Sequence, residues 1–196
     1  MLLVTSVLAT SGVGSVAAIK EGPQPVTCGV LDSPGSYQLT EDITGVGSTC
    51  IEITSSDVTL DGNGYKIEAD TPDSNTYGIY ANGLGGELEN VEVRNVDVVG
   101  WDGSGGQGIR FENVNGGEIA NVNANDNDGS GIELYDTSYV TISNAYASGN
   151  SRGLGFNFAE QSHVSIGNII EGSTFEGNTV GIRAQGIEDT VIRDSK

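Results

Sequence analysis

Gly131-Ile132-Glu133-Leu134-Tyr135, with Val140-Thr141-Ile142-Ser143-Asn144 shortly after it, is one unit of a repeat that decides the fold. Its Gly-apolar opening occurs five times, at Gly78-Ile79, Gly108-Ile109, Gly131-Ile132, Gly153-Leu154 and Gly181-Ile182, in steps of 30, 23, 22 and 28 residues. Its closing stretch recurs as Val91-Glu92-Val93-Arg94-Asn95, Glu118-Ile119-Ala120-Asn121, Val164-Ser165-Ile166-Gly167-Asn168 and Val191-Ile192-Arg193-Asp194. Both stretches alternate apolar and polar residues with the period of a β-strand. A unit of roughly 20 to 30 residues built from such strands and Gly/Asn turns cannot bury its own apolar face, so copies must stack. The expected fold is an all-β solenoid of about six to seven coils, each rising ~4.8 Å. The six-residue period of a left-handed β-helix is absent.

Alternation assigns the side chains to columns. After each opening glycine, Ile79, Ile109, Ile132, Leu154 and Ile182 point inward, and Ala81, Phe111, Leu134, Phe156 and Ala184 follow on the same side. Val93, Ile119, Ile142, Ile166 and Ile192 form a third inward stack. One residue further lies the column Asn95, Asn121, Asn144, Asn168, Asp194. It reads as an inward amide ladder in which each side chain donates to one coil and accepts from the next, with plain surface turn residues as the alternative. The outward residues form two rows: Glu52, Tyr80, Arg110, Glu133, Gly155, Arg183, and Thr54, Asn82, Glu112, Tyr135, Asn157, Gln185.

Lys and Arg number 8 against 27 Asp and Glu, a formal net charge of −19. That balance argues against nucleic acid and anionic membranes as partners. With Lys confined to Lys20, Lys66 and Lys196, it also points to a high-salt setting, where counterions screen self-repulsion. No stretch reaches the ~20 apolar residues of a membrane span. Residues 1–18 are uncharged and small or apolar, with Ser15-Val16-Ala17-Ala18 resembling a cleavage site. They read as a possible signal peptide, although the basic n-region is missing. The alternative is a first strand or a frayed terminus. Residues 19–50 hold three of the four prolines and both cysteines. They read as an N-terminal cap, with Cys28 and Cys50 as a disulfide in an exported protein. Residues 51–196 then form the coils. The chain stops at Lys196 partway through the coil begun at Gly181. That end calls for a covering subunit, a homo-oligomer contact or a continuation of the solenoid.

The Gly-Ile-x-apolar openings, the closings on Asn, and the leader Gly35-Ser36-Tyr37-Gln38-Leu39 … Val58-Thr59-Leu60-Asp61-Gly62-Asn63-Gly64 resemble the right-handed parallel β-helix repeat. The resemblance is to NosD-type proteins and the wider carbohydrate-binding and sugar-hydrolase β-helix group, haloarchaeal surface proteins in particular. It covers residues 28–196. It implies a pectate-lyase-like solenoid that is secreted or displayed at the cell surface, with a polysaccharide or a cell-surface protein as its partner. It does not fix an activity, because the group includes lyases, hydrolases, epimerases and binding modules.

The flat sheet of such a solenoid suits an extended polymer. Tyr80 and Tyr135 are candidates for stacking on sugar rings, and Arg110 and Arg183 for forking a carboxylate. Glu133 is either an acid/base or an ion-pair partner of Arg110. Gly155 either leaves room for a ligand or marks a weak strand. The rival is an ordinary solvated sheet. An enzymatic alternative, a polysaccharide lyase or glycoside hydrolase on acidic glycans, would rest on Arg110, Glu112 and Glu133. The acidic and His motifs of polygalacturonases and alginate epimerases are absent. The copper-maturation role that the NosD resemblance implies ranks last, because His163 is the only His and the cysteines are paired. Metal is otherwise limited to Ca²⁺, either at Asn125-Asp126-Asn127-Asp128-Gly129, with Asp126 and Asp128 as ligands, or at Asp61-Gly62-Asn63-Gly64; neither stretch has EF-hand spacing, and plain turn residues are the alternative for both. Trp101, in a Gly-rich excursion, is either an exposed aromatic beside a binding face or a residue packed over a coil edge.

Overall fold

The computed structural model describes residues 22–158 and 164–196. Its described elements are all β-strands, and every registered pair is parallel. Seven strands stack into one sheet: Gly29–Leu31, Ile51–Ile53, Tyr77–Asn82, Gln107–Glu112, Ser130–Tyr135, Arg152–Asn157 and Val180–Ala184. This is the platform sheet. A second sheet of twelve strands wraps the remaining sides, its longest members being Leu88–Val99 and Val114–Asn125. Neighbours in each sheet are successive coils, so the chain is a parallel β-solenoid.

The columns read from the sequence keep their register through the platform sheet, but the last coil is not buried: Ile182 is half-buried and Ala184 exposed, and Ile192 of the third stack is exposed as well. Ile51, Ile79, Ile109, Ile132 and Leu154 are fully buried, as are Phe111, Leu134 and Phe156. The recurring glycines are explained by space. A Cβ on Gly78 would overlap Val98, one on Gly131 would lie 2.9 Å from Ala147 Cβ, and one on Gly153 would lie 2.7 Å from Phe175 Cβ. None of these glycines has a positive φ. They mark where the far wall of the coil comes close, not where the backbone turns left-handed.

Left-handed conformations occur instead at the corners, in columns of their own. Asp57, Asn90, Gly116, Tyr139, Gly167 and Asp189 all have φ between 48° and 70°. Asn95, Asn121, Asn144, Gly172 and Asp194 lie between 50° and 57°. Each column turns the chain at the same place in successive coils, which accounts for the abundance of Asn, Asp and Gly.

That second column corrects the expected ladder in two ways. Asn121 and Asn144 are exposed turn residues, not inward ones. Their amides do bridge coils, Asn121 Nδ2 to Asn95 Oδ1 and Asn144 Nδ2 to Asn121 Oδ1, each at 3.3 Å. Asn168 is not in the column. The strand Ile169–Glu171 pairs with Thr141, Ile142 and Ser143, so Gly172 takes the corner and Ile170 takes the core place expected for Ile166. Asn168 is instead fully buried; its Oδ1 accepts from Val140 N at 2.9 Å and its Nδ2 donates to Thr137 O. A competing Val-Ser-Ile alternation four residues upstream disguised this shift.

The inward ladder exists elsewhere. Asn127 is 1 % and Asn150 4 % exposed. Trp101 N donates to Asn127 Oδ1, Asn127 N and Nδ2 donate to Asn150 Oδ1, and Asn150 N and Nδ2 donate to Asn178 Oδ1, at 2.9–3.1 Å. Asn150 Nδ2 also reaches Ala124 O at 2.9 Å, and Asn178 Nδ2 reaches Ala147 O at 2.8 Å. The ladder thus closes backbone groups that burial would otherwise leave unpaired.

Cys28 and Cys50 form a disulfide with a Cα–Cα distance of 4.4 Å. It joins two stacked coils, since Gly29 and Ile51 are register partners. Residues expected as a cap are themselves built as a coil: Gly29–Leu31 lies in the platform sheet, while Gly35–Gln38 and Ile43–Val46 lie in the second sheet. Residues 1–18 and His163 lie outside the described residues. Among those described, no helix is long and apolar enough to cross a membrane.

Candidate functional site

Both outward rows of the platform are observed. Glu52, Tyr80, Arg110, Glu133, Gly155 and Arg183 are successive register partners. Asn82, Glu112, Tyr135 and Asn157 follow in the second row. Strand pairing therefore brings together Tyr80, Arg110, Glu112, Glu133 and Tyr135, which are scattered over 56 positions of sequence.

Arg110 sits at the centre of a cage. Its guanidinium carbon lies 4.5 Å from the ring centre of Tyr135, 5.6 Å from that of Tyr77 and 5.9 Å from that of Tyr80. The Tyr77 and Tyr80 rings are 4.6 Å apart and tilted by 46°. Arg110 Nε donates to Glu112 Oε2 at 2.9 Å, and Tyr80 Oη donates to the same oxygen at 2.5 Å. The ion pair is only 13 % and 9 % exposed at its two side chains. Burial works against the Arg110 charge, but the bond to Glu112 and its field more than offset this, so the guanidinium pKa is raised. Burial, followed by the bond to Glu112, raises the Tyr80 phenol well above its ordinary 10.0. The partner of Arg110 is therefore Glu112, two residues along its own strand, and not Glu133.

Glu133 is 1 % exposed. Ser130 Oγ donates to its Oε2 and Asn157 Nδ2 to its Oε1. Its carboxylate fills the space above Gly155, where a Cβ would collide with it. The missing side chain at Gly155 makes room for Glu133, not for a ligand. Glu52 accepts from Asn82 Nδ2 at 2.7 Å. Each of the platform carboxylates Glu52, Glu112 and Glu133 is thus held by a donor on an adjacent coil. Arg183 is half-buried and donates to Gln185 Oε1 at 2.7 Å.

The candidate calcium ligands Asp126 and Asp128 each have contacts within the coils. Asp128 Oδ2 accepts from Gly105 N at 2.8 Å, and Asp126 lies at a left-handed corner with its carboxylate against Gly149. Among the described residues no group of three or more His, Cys, Asp or Glu comes together. Trp101 is fully buried, and its excursion packs along the platform edge: Asn75 N donates to Ser104 O and Asp128 N to Trp101 O, both at 2.9 Å. A groove of about 450 Å³ on the second sheet, which strand alternation does not reveal, is lined by Asp57, Thr59, Asn90, Glu92, Gly117 and Glu118. It is acid-lined, and Glu92 is tied to Arg94 at 2.5 Å.

Stacked parallel strands, aliphatic and aromatic columns, and a flat polar face define a parallel β-helix protein. The chain belongs to the right handed beta helix family, whose model matches residues 40–196. No curated protein matches it. Among solved structures, ORF18 of Geobacillus virus E2 is similar over 88 % of this chain and 42 % of its own, at 12 % identity and a TM-score of 0.35. The chain thus spans less than half the length of that protein, and the likeness is too slight to argue from.

Proposed function

We propose that this chain is a non-catalytic, extracytoplasmic β-helix module whose platform sheet lies along a polysaccharide, or which serves as a rigid spacer on a cell surface. One observation carries the non-catalytic part: the two carboxylates an enzyme would need are buried and bound. Glu112 is 7 % and Glu133 1 % exposed, and each accepts two hydrogen bonds from neighbouring side chains. An acid/base pair must reach the scissile bond and exchange a proton there. Breaking these bonds inside a covered network would cost about 1–3 kcal/mol for each group left alone. Tyr77 and Tyr135, both half-buried, keep part of their rings at the surface for contact with a sugar. The disulfide favours an oxidising compartment, and the −19 charge favours a high-salt setting.

The test is a screen of neutral and acidic polysaccharides in molar salt, reading binding and new chain ends together. Binding without products is the expected result. New reducing or unsaturated ends, lost in Glu133→Gln, would replace this reading with the lyase or hydrolase alternative. Silence across the panel would leave the spacer.

A further inference from the structure

The chain carries eight Lys and Arg among 27 acids. Lys20 lies outside the described residues. Of the other seven, five have a carboxylate partner: Lys66 with Glu68, Arg94 with Asp61 and Glu92, Arg110 with Glu112, Arg193 with Glu171, and Lys196 with Glu176. Among the described residues Arg152 and Arg183 have none. Arg183 donates to the neutral Gln185 at 2.7 Å, and Arg152 reaches only Ser130 Oγ at 3.5 Å. In a chain with more than three acids per base, these two exceptions are not scattered. Arg152–Asn157 and Val180–Ala184 are adjacent strands of the platform sheet, with Arg152 opposite Val180 and Arg183 opposite Gly155.

We infer that Arg152 and Arg183 form an anion-recognition site for the carboxylate groups of an acidic sugar chain. The inference rests on the platform reading above and gives its ligand a chemical class. Three residues of offset place the two backbone positions about 10 Å apart along the strands and one step of ~4.8 Å across them. Arginine side chains span such a gap and offer planar forks that match a carboxylate. Gly155, opposite Arg183, adds no side chain of its own; the Glu133 carboxylate that fills the space above it is buried and held by Ser130 and Asn157, so an incoming carboxylate meets the outer ends of the two arginines and not the floor between them. Arg110, which the sequence singled out, does not serve here. Its charge is matched by Glu112 and covered by tyrosines, so it fixes the rings in place.

The experiment is calorimetric titration of the full chain with a uronate oligosaccharide and with a neutral glucan of similar length, at fixed ionic strength. The proteins are the wild type, Arg152→Gln/Arg183→Gln, and Arg193→Gln, whose arginine lies on the second sheet. The expected result is uronate binding that falls at least tenfold in the double variant and holds in Arg193→Gln. Uronate binding that survives the double variant, or falls equally in Arg193→Gln, overturns the inference. Neutral glucan binding without uronate binding also overturns it but leaves the platform reading intact. Failure of both sugars to bind sinks the platform reading and the inference with it. Circular dichroism of the variants separates lost binding from lost fold.

Discussion

A single methyl group added at Gly153 would sit 2.7 Å from Phe175 Cβ and 2.7 Å from Gly181 O. Backbone and a core ring base cannot both give way, so Gly153→Ala should destabilise by roughly 1–3 kcal/mol or more. Gly85→Ala is the contrast, since nothing lies within 4 Å of its Cβ position and its φ is ordinary. Its effect should stay within about 1 kcal/mol and favour folding by reducing unfolded-chain entropy. Denaturant midpoints read both, and equal losses would refute the packing account of the glycines. Tyr80 makes a second claim at this scale. Its folded pKa is raised above 10.0, so the neutral phenol is favoured in the fold. The stability it contributes is complete below pH ~10 and is lost as pH rises towards the folded value. Tyr80→Phe removes one donor to Glu112, which keeps Arg110, and should cost about 1–2 kcal/mol at neutral pH. The variant should also lose stability less steeply above pH 10 than the wild type. Parallel alkaline limbs in the two proteins would contradict the assignment.

Between coils, two Asn ladders make opposite predictions. Asn150 Oδ1 takes two bonds from Asn127, and its Nδ2 serves Ala124 O and Asn178 Oδ1. Asn150→Ala leaves several buried groups without partners and should cost roughly 3 kcal/mol or more. Asn121→Ala removes exposed 3.3 Å amide contacts and an Asn suited to φ 53°, so about 1–2 kcal/mol is expected, most of it backbone strain. Asn121→Gly should recover most of that loss, whereas Asn150→Gly should recover none. A recovery of equal size at both sites would erase the distinction between corner and core. The same two ladders show what the sequence could reveal. Alternation makes the platform rows legible, because strand period and coil stacking leave one arrangement for Tyr80, Arg110 and Glu133. It cannot show which corner amide faces inward, since exposed Asn144 and buried Asn150 differ only in the backbone path between them. Nor can it show that Arg110 turns along its own strand to Glu112, because that is a rotamer choice. Arg152 carries no sequence signal beyond its place just before Gly153; what distinguishes it is the lack of a carboxylate partner among the described residues, which only side-chain geometry can show.

At the scale of the whole molecule, the governing quantity is the −19 charge spread over a rod of thin coils. With 27 acids to 8 bases, folding gathers like charges that the unfolded chain holds further apart. Salt shortens the reach of that repulsion from about 8 Å at 0.15 M to about 3 Å at 1 M. It also weakens ion pairs, but those most open to it are weak already. Arg193 with Glu171 and Lys196 with Glu176 are largely exposed and contribute little. The Arg110–Glu112 pair is covered by tyrosines and therefore screened less. Relief of repulsion should win, and the melting temperature should rise by several degrees between 0.1 and 2 M KCl. KCl is the salt to use, because sulfate would strengthen apolar burial by exclusion and give a rise for another reason. A set of surface Glu→Gln changes away from the platform, at Glu41, Glu87 and Glu188, should raise the low-salt melting temperature and flatten its dependence on KCl. A flat or falling curve for the wild type would mean that the acids are balanced by local solvation, and the high-salt reading would then have no physical support.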